Sequence, residues 1–198
     1  MSTPSHMDNA KQFVFRGMLA LNDLDGLEDL GVYLRDSHRQ FGRRLADLSF
    51  AEFSPQIQDG AEKMSRLYVA FFCFENSARE LIAHTLREAH GDTWWESRVP
   101  PNVKSKVDNR KAQEAKNRWH QPRSRDSINY ADFGDMPAII LRNWEEFEGV
   151  FDTQEWVKSR FGDMEKSRNV IAHNNVLEDP EIDRIELYLR DWARIIGL

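Results

Sequence analysis

The sequence predicts an all-α fold: a helical bundle with a long central helix and an N-terminal helical extension. Three observations predict it. Apolar residues recur at three- and four-residue spacing along most of the chain, which gathers them on one helix face. Strand signals are poor, because no Asn-Gly or Asp-Gly pair separates two alternating apolar runs; Asp25-Gly26 and Asp59-Gly60 sit inside helix-like patterns. Glycine and proline, 10 and 7 in 198 residues, act as punctuation between periodic segments.

The elements follow in order. Residues 1–10 are polar and read as disordered, and residues 11–53 read as a helical extension. Within it, residues 11–21 are apolar, and Leu24, Leu27, Leu30, Val32, Leu34, Phe41, Leu45 and Leu48 keep helical spacing. A main domain over 54–198 opens on Ser54-Pro55, a capping serine followed by proline at the first helical position. This helix runs through Leu67, Phe71, Phe74, Ala78, Leu81, Ile82, Thr85 and Leu86 and stops at His90-Gly91. At about 35 residues it exceeds most globular helices and suits the spine of a bundle. Trp94-Trp95 follows in a connector and reads as a core anchor. Pro100-Pro101 starts a polar helix to about Trp119, and residues 120–129 with Pro122 read as a loop. Residues 135–150 read as one helix with Ile139, Ile140, Trp144 and Phe147 as its stripe. Thr153 caps the next helix, and Pro180 opens the last, with Ile182, Ile185, Leu189, Trp192 and Ile196 inward.

Composition narrows the class. Hydrophobic residues at 40% and charged residues at 30% are ordinary for a water-soluble globular protein, and 198 residues bury a real core. The longest apolar run, residues 69–74, is too short to span a membrane, and no secretory pattern opens the chain. No membrane partner and a cytoplasmic location are the expectation. The single cysteine, Cys73, lies in that apolar run and reads as a small buried hydrophobe. Of the six histidines, His6, His38, His84, His90, His120 and His173, none pairs at ligand spacing with cysteine or carboxylate support. No glycine-rich phosphate loop with a lysine and no Gly-x-Ser-x-Gly elbow occurs. No metal and no cofactor are expected.

Net charge is −6, which argues against a generally basic nucleic-acid binder. The charge is uneven. Residues 104–125 hold Lys104, Lys106, Arg110, Lys111, Lys116, Arg118, Arg123 and Arg125 against Asp108 and Glu114, with Asp126 just beyond. Such a segment either follows an RNA backbone or forms a solvated helix face with a loop after it.

Ser167-Arg168-Asn169-Val170-Ile171-Ala172-His173-Asn174-Asn175 is the most informative stretch. Arginine carries a permanent charge and a planar fork of donors suited to phosphate. Histidine exchanges a proton near neutral pH. Together they suggest phosphodiester chemistry or RNA binding; the bland alternative is a pair of solvated polar residues at a helix end. Five residues correspond to about 500° of helical turn, so Arg168 and His173 point about 140° apart. For both to meet one phosphate, the helix must end or bend between them, or a second copy of the chain must complete the site.

With its context, the motif resembles that of the HEPN superfamily: an arginine, an adjacent polar residue, and a histidine four to six residues on. Arg168, Asn169 and His173 match residue by residue, and Ala172 before the histidine is also usual. The chain is most similar to Swt1-like HEPN domains. Four patterns support this: Phe74-Glu75-Asn76-Ser77-Ala78-Arg79; Gly91-Asp92-Thr93-Trp94-Trp95 with Pro100-Pro101; Tyr130-Ala131-Asp132-Phe133-Gly134-Asp135-Met136; and Asn143-Trp144 before Phe147. The resemblance covers residues 61–198.

The resemblance implies an all-helical, often dimeric domain, and in many members a metal-independent endoribonuclease. RNA brings its own nucleophile, the 2′-hydroxyl, so cleavage leaves a 2′,3′-cyclic phosphate and a 5′-hydroxyl. In that role His173 is the base or acid, Arg168 holds the phosphate, and Asn169 orients the backbone or the histidine. One histidine cannot make both proton transfers at once, whereas a two-fold homodimer supplies two. Glu75, mid-helix among Phe71, Phe72 and Phe74, needs a partner and is expected near Arg168; a solvated pair on the helix surface with Arg79 is the alternative. The expected partners are RNA, tRNA or mRNA among them, a second copy of the chain, and a neutralising or regulatory protein. A toxin or phage-defence effector is the first reading, and a non-catalytic module binding RNA or a protein is the alternative.

Overall fold

Pro55 starts the longest element, helix α1 (Pro55–His90), where its fixed φ and missing N–H suit the first turn. Leu67, Phe71, Phe74, Ala78, Ile82 and Leu86 recur every three or four residues on α1, and all are buried. α1 ends at Gly91, whose φ of 66° lies in the left-handed region that costs glycine nothing. The computed structural model describes residues 52–117 and 121–197; the helices expected over 11–48, and with them His6, His38, Trp119 and His120, lie outside the described residues.

The remaining elements pack around α1. A 3-10 turn (Gly91–Thr93) leads into α2 (Trp94–Arg98), then come α3 (Pro101–Glu114), a 3-10 turn (Ser127–Tyr130), α4 (Asp135–Arg142), α5 (Trp144–Phe147), α6 (Gln154–Ala172) and α7 (Asp179–Ile195). Every regular element among the described residues is helical, as expected. The core centres on Phe74 of α1, whose ring lies 4.9 Å from Trp192, 5.5 Å from Phe161 and 5.6 Å from Phe133. Trp192 also donates its indole N–H to Ser77 Oγ at 2.8 Å, which ties α7 to α1. At the other end of α1, His90 Nε2 contacts Glu146 of α5.

Local expectations fail where a distant contact wins. Trp94 and Trp95 belong to a helix of five residues instead of a connector; Trp94 is the buried anchor and Trp95 is only half-buried. α3 stops at Glu114, short of Trp119, because tight i→i+3 bonds at Lys116 and Asn117 turn the chain back. Glu114 then takes the Arg123 N–H at 3.0 Å and the Tyr130 hydroxyl, which holds the returning strand of chain along α3. Part of the expected loop over 120–129 is therefore the 3-10 turn that begins at Ser127. The helix expected over 135–150 breaks at Asn143, where φ is −117° and ψ is 41°. The buried Asn143 side chain donates to the Ile139 carbonyl at 2.7 Å and the Arg98 carbonyl at 3.2 Å, so it ends α4 and binds α2 at once. Cys73 is exposed, contrary to expectation. One residue before the buried Phe74 means about 100° round the helix, which turns Cys73 away from the core.

Buried Asp135, at the start of α4, anchors this layer. It accepts from Lys106 Nζ at 2.7 Å, Arg110 Nη1 at 3.4 Å and the Asp132 N–H at 3.0 Å. Burial alone would raise its pKa; the hydrogen bonds from Lys106, Asp132 and Arg110 outweigh that and hold the carboxyl below its usual range. A depressed folded-state pKa means stability present above the unfolded pKa and lost as pH falls through the folded one. Asp135→Asn is expected to remove roughly 1.5–3 kcal/mol at neutral pH and to flatten the acid limb of a pH–stability profile. Urea melts at pH 7 and at acidic pH check this; an unchanged neutral midpoint would refute it.

Candidate functional site

The site grows from α6. Thr153 Oγ1 accepts the Trp156 N–H at 3.0 Å and starts the helix. Val157, Phe161 and Met164 bury one stripe, and this fixes the rotation of the last turn. That turn carries Arg168 and Asn169 and ends at Ala172, with His173 as the cap residue. Asn174 takes a left-handed φ of 57°; its N–H bonds the Ile171 carbonyl at 2.9 Å, and the Asn175 N–H bonds the Val170 carbonyl at 3.0 Å. This is a Schellman ending with asparagine in the position glycine usually takes.

Arg168 faces α1. Its Nε lies 3.7 Å from Oε2 of Glu75, whose side chain is 13% exposed. Glu75 Oε1 also meets Arg79 Nη2, so one carboxylate stands between two guanidiniums. Arg79 reaches on to the Ala131 carbonyl at 3.2 Å and Asn76 Oδ1 at 3.4 Å, while its Nε is buried without a hydrogen-bond partner. A cavity of about 660 Å³ opens over this group, with Arg168, Glu75, Arg79, Arg123, Asn129 and Ala172 in its wall. With two paired arginines and a third, Arg123, the cavity suits an anion.

His173 is placed differently. It is exposed and does not line the Arg168 cavity, and among the described residues its ring makes no hydrogen bond or ion pair. α6 continues to Ala172, so the angular separation of Arg168 and His173 survives. Asn169 is exposed; its carbonyl accepts the His173 N–H at 3.1 Å, and among the described residues its side chain makes no hydrogen bond to Arg168 or His173. A single chain thus brings Arg168 and Glu75 together and leaves Asn169 and His173 outside.

The cations of residues 104–125 do not form one stripe. Lys104 donates to the Glu96 carbonyl at 2.6 Å, Lys106 and Arg110 hold Asp135, and Lys111 donates to Ser127 Oγ at 2.6 Å. Arg110 also donates to the Tyr130 carbonyl at 2.7 Å and contacts Asp132. These four bind the chain to itself. Lys116 is exposed, and Arg118 lies outside the described residues. Arg123 lines the Arg168 cavity, with its guanidinium 5.9 Å from the centre of the Tyr130 ring, and Arg125 lines a neighbouring cavity. Sequence reasoning missed Arg79 as a bridge and Asn129 as a wall. The Glu75–Arg79 spacing signals a helix pair, but nothing local signals the Ala131 carbonyl.

Among the described residues no three His, Cys, Asp or Glu side chains gather as a metal site, and no helix is long and apolar enough to cross a membrane. The family model of Swt1-like HEPN matches residues 69–197. The chain belongs to the Swt1-like HEPN family. Neither a curated protein nor a solved structure matches it. The match to Swt1-like HEPN spans α1 from Val69 through α7 and so includes every residue of the Arg168 cavity except Tyr68. HEPN domains generally act on RNA, and Arg168 and Glu75 both lie within the matched span.

Proposed function

We propose that this HEPN domain is a metal-independent endoribonuclease that works as a homodimer in the cytoplasm, as a toxin or phage-defence effector. The observation that carries the reading is Arg168, held beside half-buried Glu75 on the wall of an anion-suited cavity. Arg168 binds the scissile phosphate and stabilises charge growing on its oxygens. His173 takes the proton of the 2′-hydroxyl, the 2′-oxygen bonds to phosphorus, and the bond from phosphorus to the 5′-oxygen breaks. A second His173 protonates that leaving oxygen, giving cyclic-phosphate and 5′-hydroxyl ends. Asn169 orients the histidine or the backbone around it. Arg123 and Arg125 are the cations of the basic segment placed to follow the RNA, tRNA or mRNA, on either side of the cut.

The second histidine comes from a second chain. Tyr68, Phe72 and Val176 are 55–61% exposed and line the Arg168 cavity or the pocket next to it that reaches the end of α6. An exposed apolar patch of this kind supports an interface, and two-fold pairing through it sets two motifs face to face. A nuclease of this kind needs restraint in its own cell, which a neutralising protein supplies.

One observation favours a second reading, a non-catalytic module that binds RNA or a protein: His173 stands apart from the Arg168 cavity. RNA cleavage with EDTA present separates the two. The ribonuclease reading expects cyclic-phosphate ends that disappear in His173→Ala. No cleavage of several RNAs, tRNA included, by folded dimer would select the binding module. Glu75→Gln is expected to lower kcat/KM about tenfold, with most of the loss in KM, because a neutral amide orients Arg168 less firmly. Steady-state kinetics on a short RNA check this, and equal kinetics would remove Glu75 from the site.

A further inference from the structure

A second cavity of about 790 Å³ runs along the same face of α1. Phe72, Asn76, Arg79 and Asn129 line both cavities, so the two form one groove. Its far end reaches Arg87 and Trp95. Glu75 and Arg87 are about 18 Å apart along α1 at 1.5 Å per residue, so the groove is longer than one phosphate requires.

Outside these shared residues and Arg125, which follows the RNA in the ribonuclease reading, the lining of this second cavity has no role in the chemistry at Arg168. Trp94 is the core anchor, while Trp95, set edge-on to it at 5.5 Å, is half-buried and lines the cavity. Arg87 and Arg125 line it too and form no ion pair among the described residues. Glu80, Asp92 and Asp126 share the wall, so a bare polyanion would meet three carboxylates. A nucleotide of a strand suits the mixture better: the face of its base stacks on an indole, the base's amino groups donate to carboxylates, and its phosphate accepts from the arginines. Bases free to stack on protein belong to single strands.

We infer that this cavity is a base-binding subsite for single-stranded RNA, in which Trp95 stacks on a base further along the strand whose phosphate lies at Arg168, while Arg87 and Arg125 hold phosphates beside that base. The inference rests on the ribonuclease reading in that Arg168 takes a phosphate of the same strand and Arg125 follows that strand.

The test is fluorescence anisotropy with a labelled single-stranded RNA of about ten nucleotides, on a His173→Ala background that stops turnover. Trp95→Ala is expected to weaken binding about tenfold, with Trp95→Phe retaining most of it. Arg87→Gln with Arg125→Gln, both on the surface, is expected to flatten the salt dependence by about 1.4 in logarithmic slope, two contacts at about 0.7 each. Inorganic polyphosphate is expected to compete poorly. Unchanged affinity and salt slope in the arginine pair, with RNA still bound, overturns the subsite and leaves the Arg168 reading standing. Equal competition by polyphosphate overturns base recognition. Failure of the parent to bind any RNA overturns the ribonuclease reading and this inference with it.

Discussion

His173→Ala is expected to lower RNA cleavage by about 10²–10⁴, the usual contribution of a positioned acid or base, while folding and RNA binding are retained. The ring is exposed and makes no hydrogen bond among the described residues, so its removal leaves no buried group unpaired. Arg168→Ala is expected to fall comparably, but with weaker RNA binding, because the guanidinium forms part of the cavity wall. The histidine variant also reports on the site's composition. If one cut uses His173 of both chains, only dimers of two parental chains stay fully active when parent and His173→Ala are mixed. An equal, fully exchanged mixture then keeps about a quarter of the activity of the same amount of parent. Sites contained within single chains keep about half. Retention of half, with subunit exchange demonstrated, would refute the shared site, and full activity in His173→Ala would refute the role of the histidine altogether.

Phe74→Ala is expected to destabilise the domain by about 3–5 kcal/mol. Phe74 is 4% exposed and touches rings from α6, α7 and the segment before α4, so truncation leaves a cavity that several elements cannot close together. Against a typical total of about 5–15 kcal/mol this is a large fraction, and Tm should fall by about 10–15 °C. Leu187→Ala is the control: 53% exposed on α7 and outside the apolar patch, it should change stability by no more than about 0.5 kcal/mol. Thermal melts followed by circular dichroism compare the two. Equal melting of Phe74→Ala and Leu187→Ala would show that the aromatic cluster is not the keystone of the core.

Much of the site's environment was legible in α1 alone. A carboxylate among Phe71, Phe72 and Phe74 requires a partner, because burial of an unpaired charge is costly. Arg79 is legible as a partner from its i,i+4 spacing on the same helix, whereas the approach of Arg168, which the family resemblance suggested, required α6 to lie against α1. The eight cations of residues 104–125 show the converse. Their number suggested a phosphate track, yet Lys106 and Arg110 are drawn to buried Asp135, a demand that no local pattern announces. Arg123 reaches the motif only because Glu114 and Tyr130 fold the chain back along α3.

The sequence by itself determined the helical class and the helix boundaries written in local chemistry: proline at Pro55, the Thr153 cap and glycine at Gly91. Each depends on backbone groups within a few residues, so neighbours suffice to specify it. It also determined the family, through patterns spread along the chain. Tertiary structure alone decided the break at Asn143 against the Arg98 carbonyl, the capture of Lys106 and Arg110 by Asp135, and the reach of Arg79 to the Ala131 carbonyl. Each of those depends on a group far away in sequence or on the rotation of one helix against another, and spacing along a single helix carries no information about either.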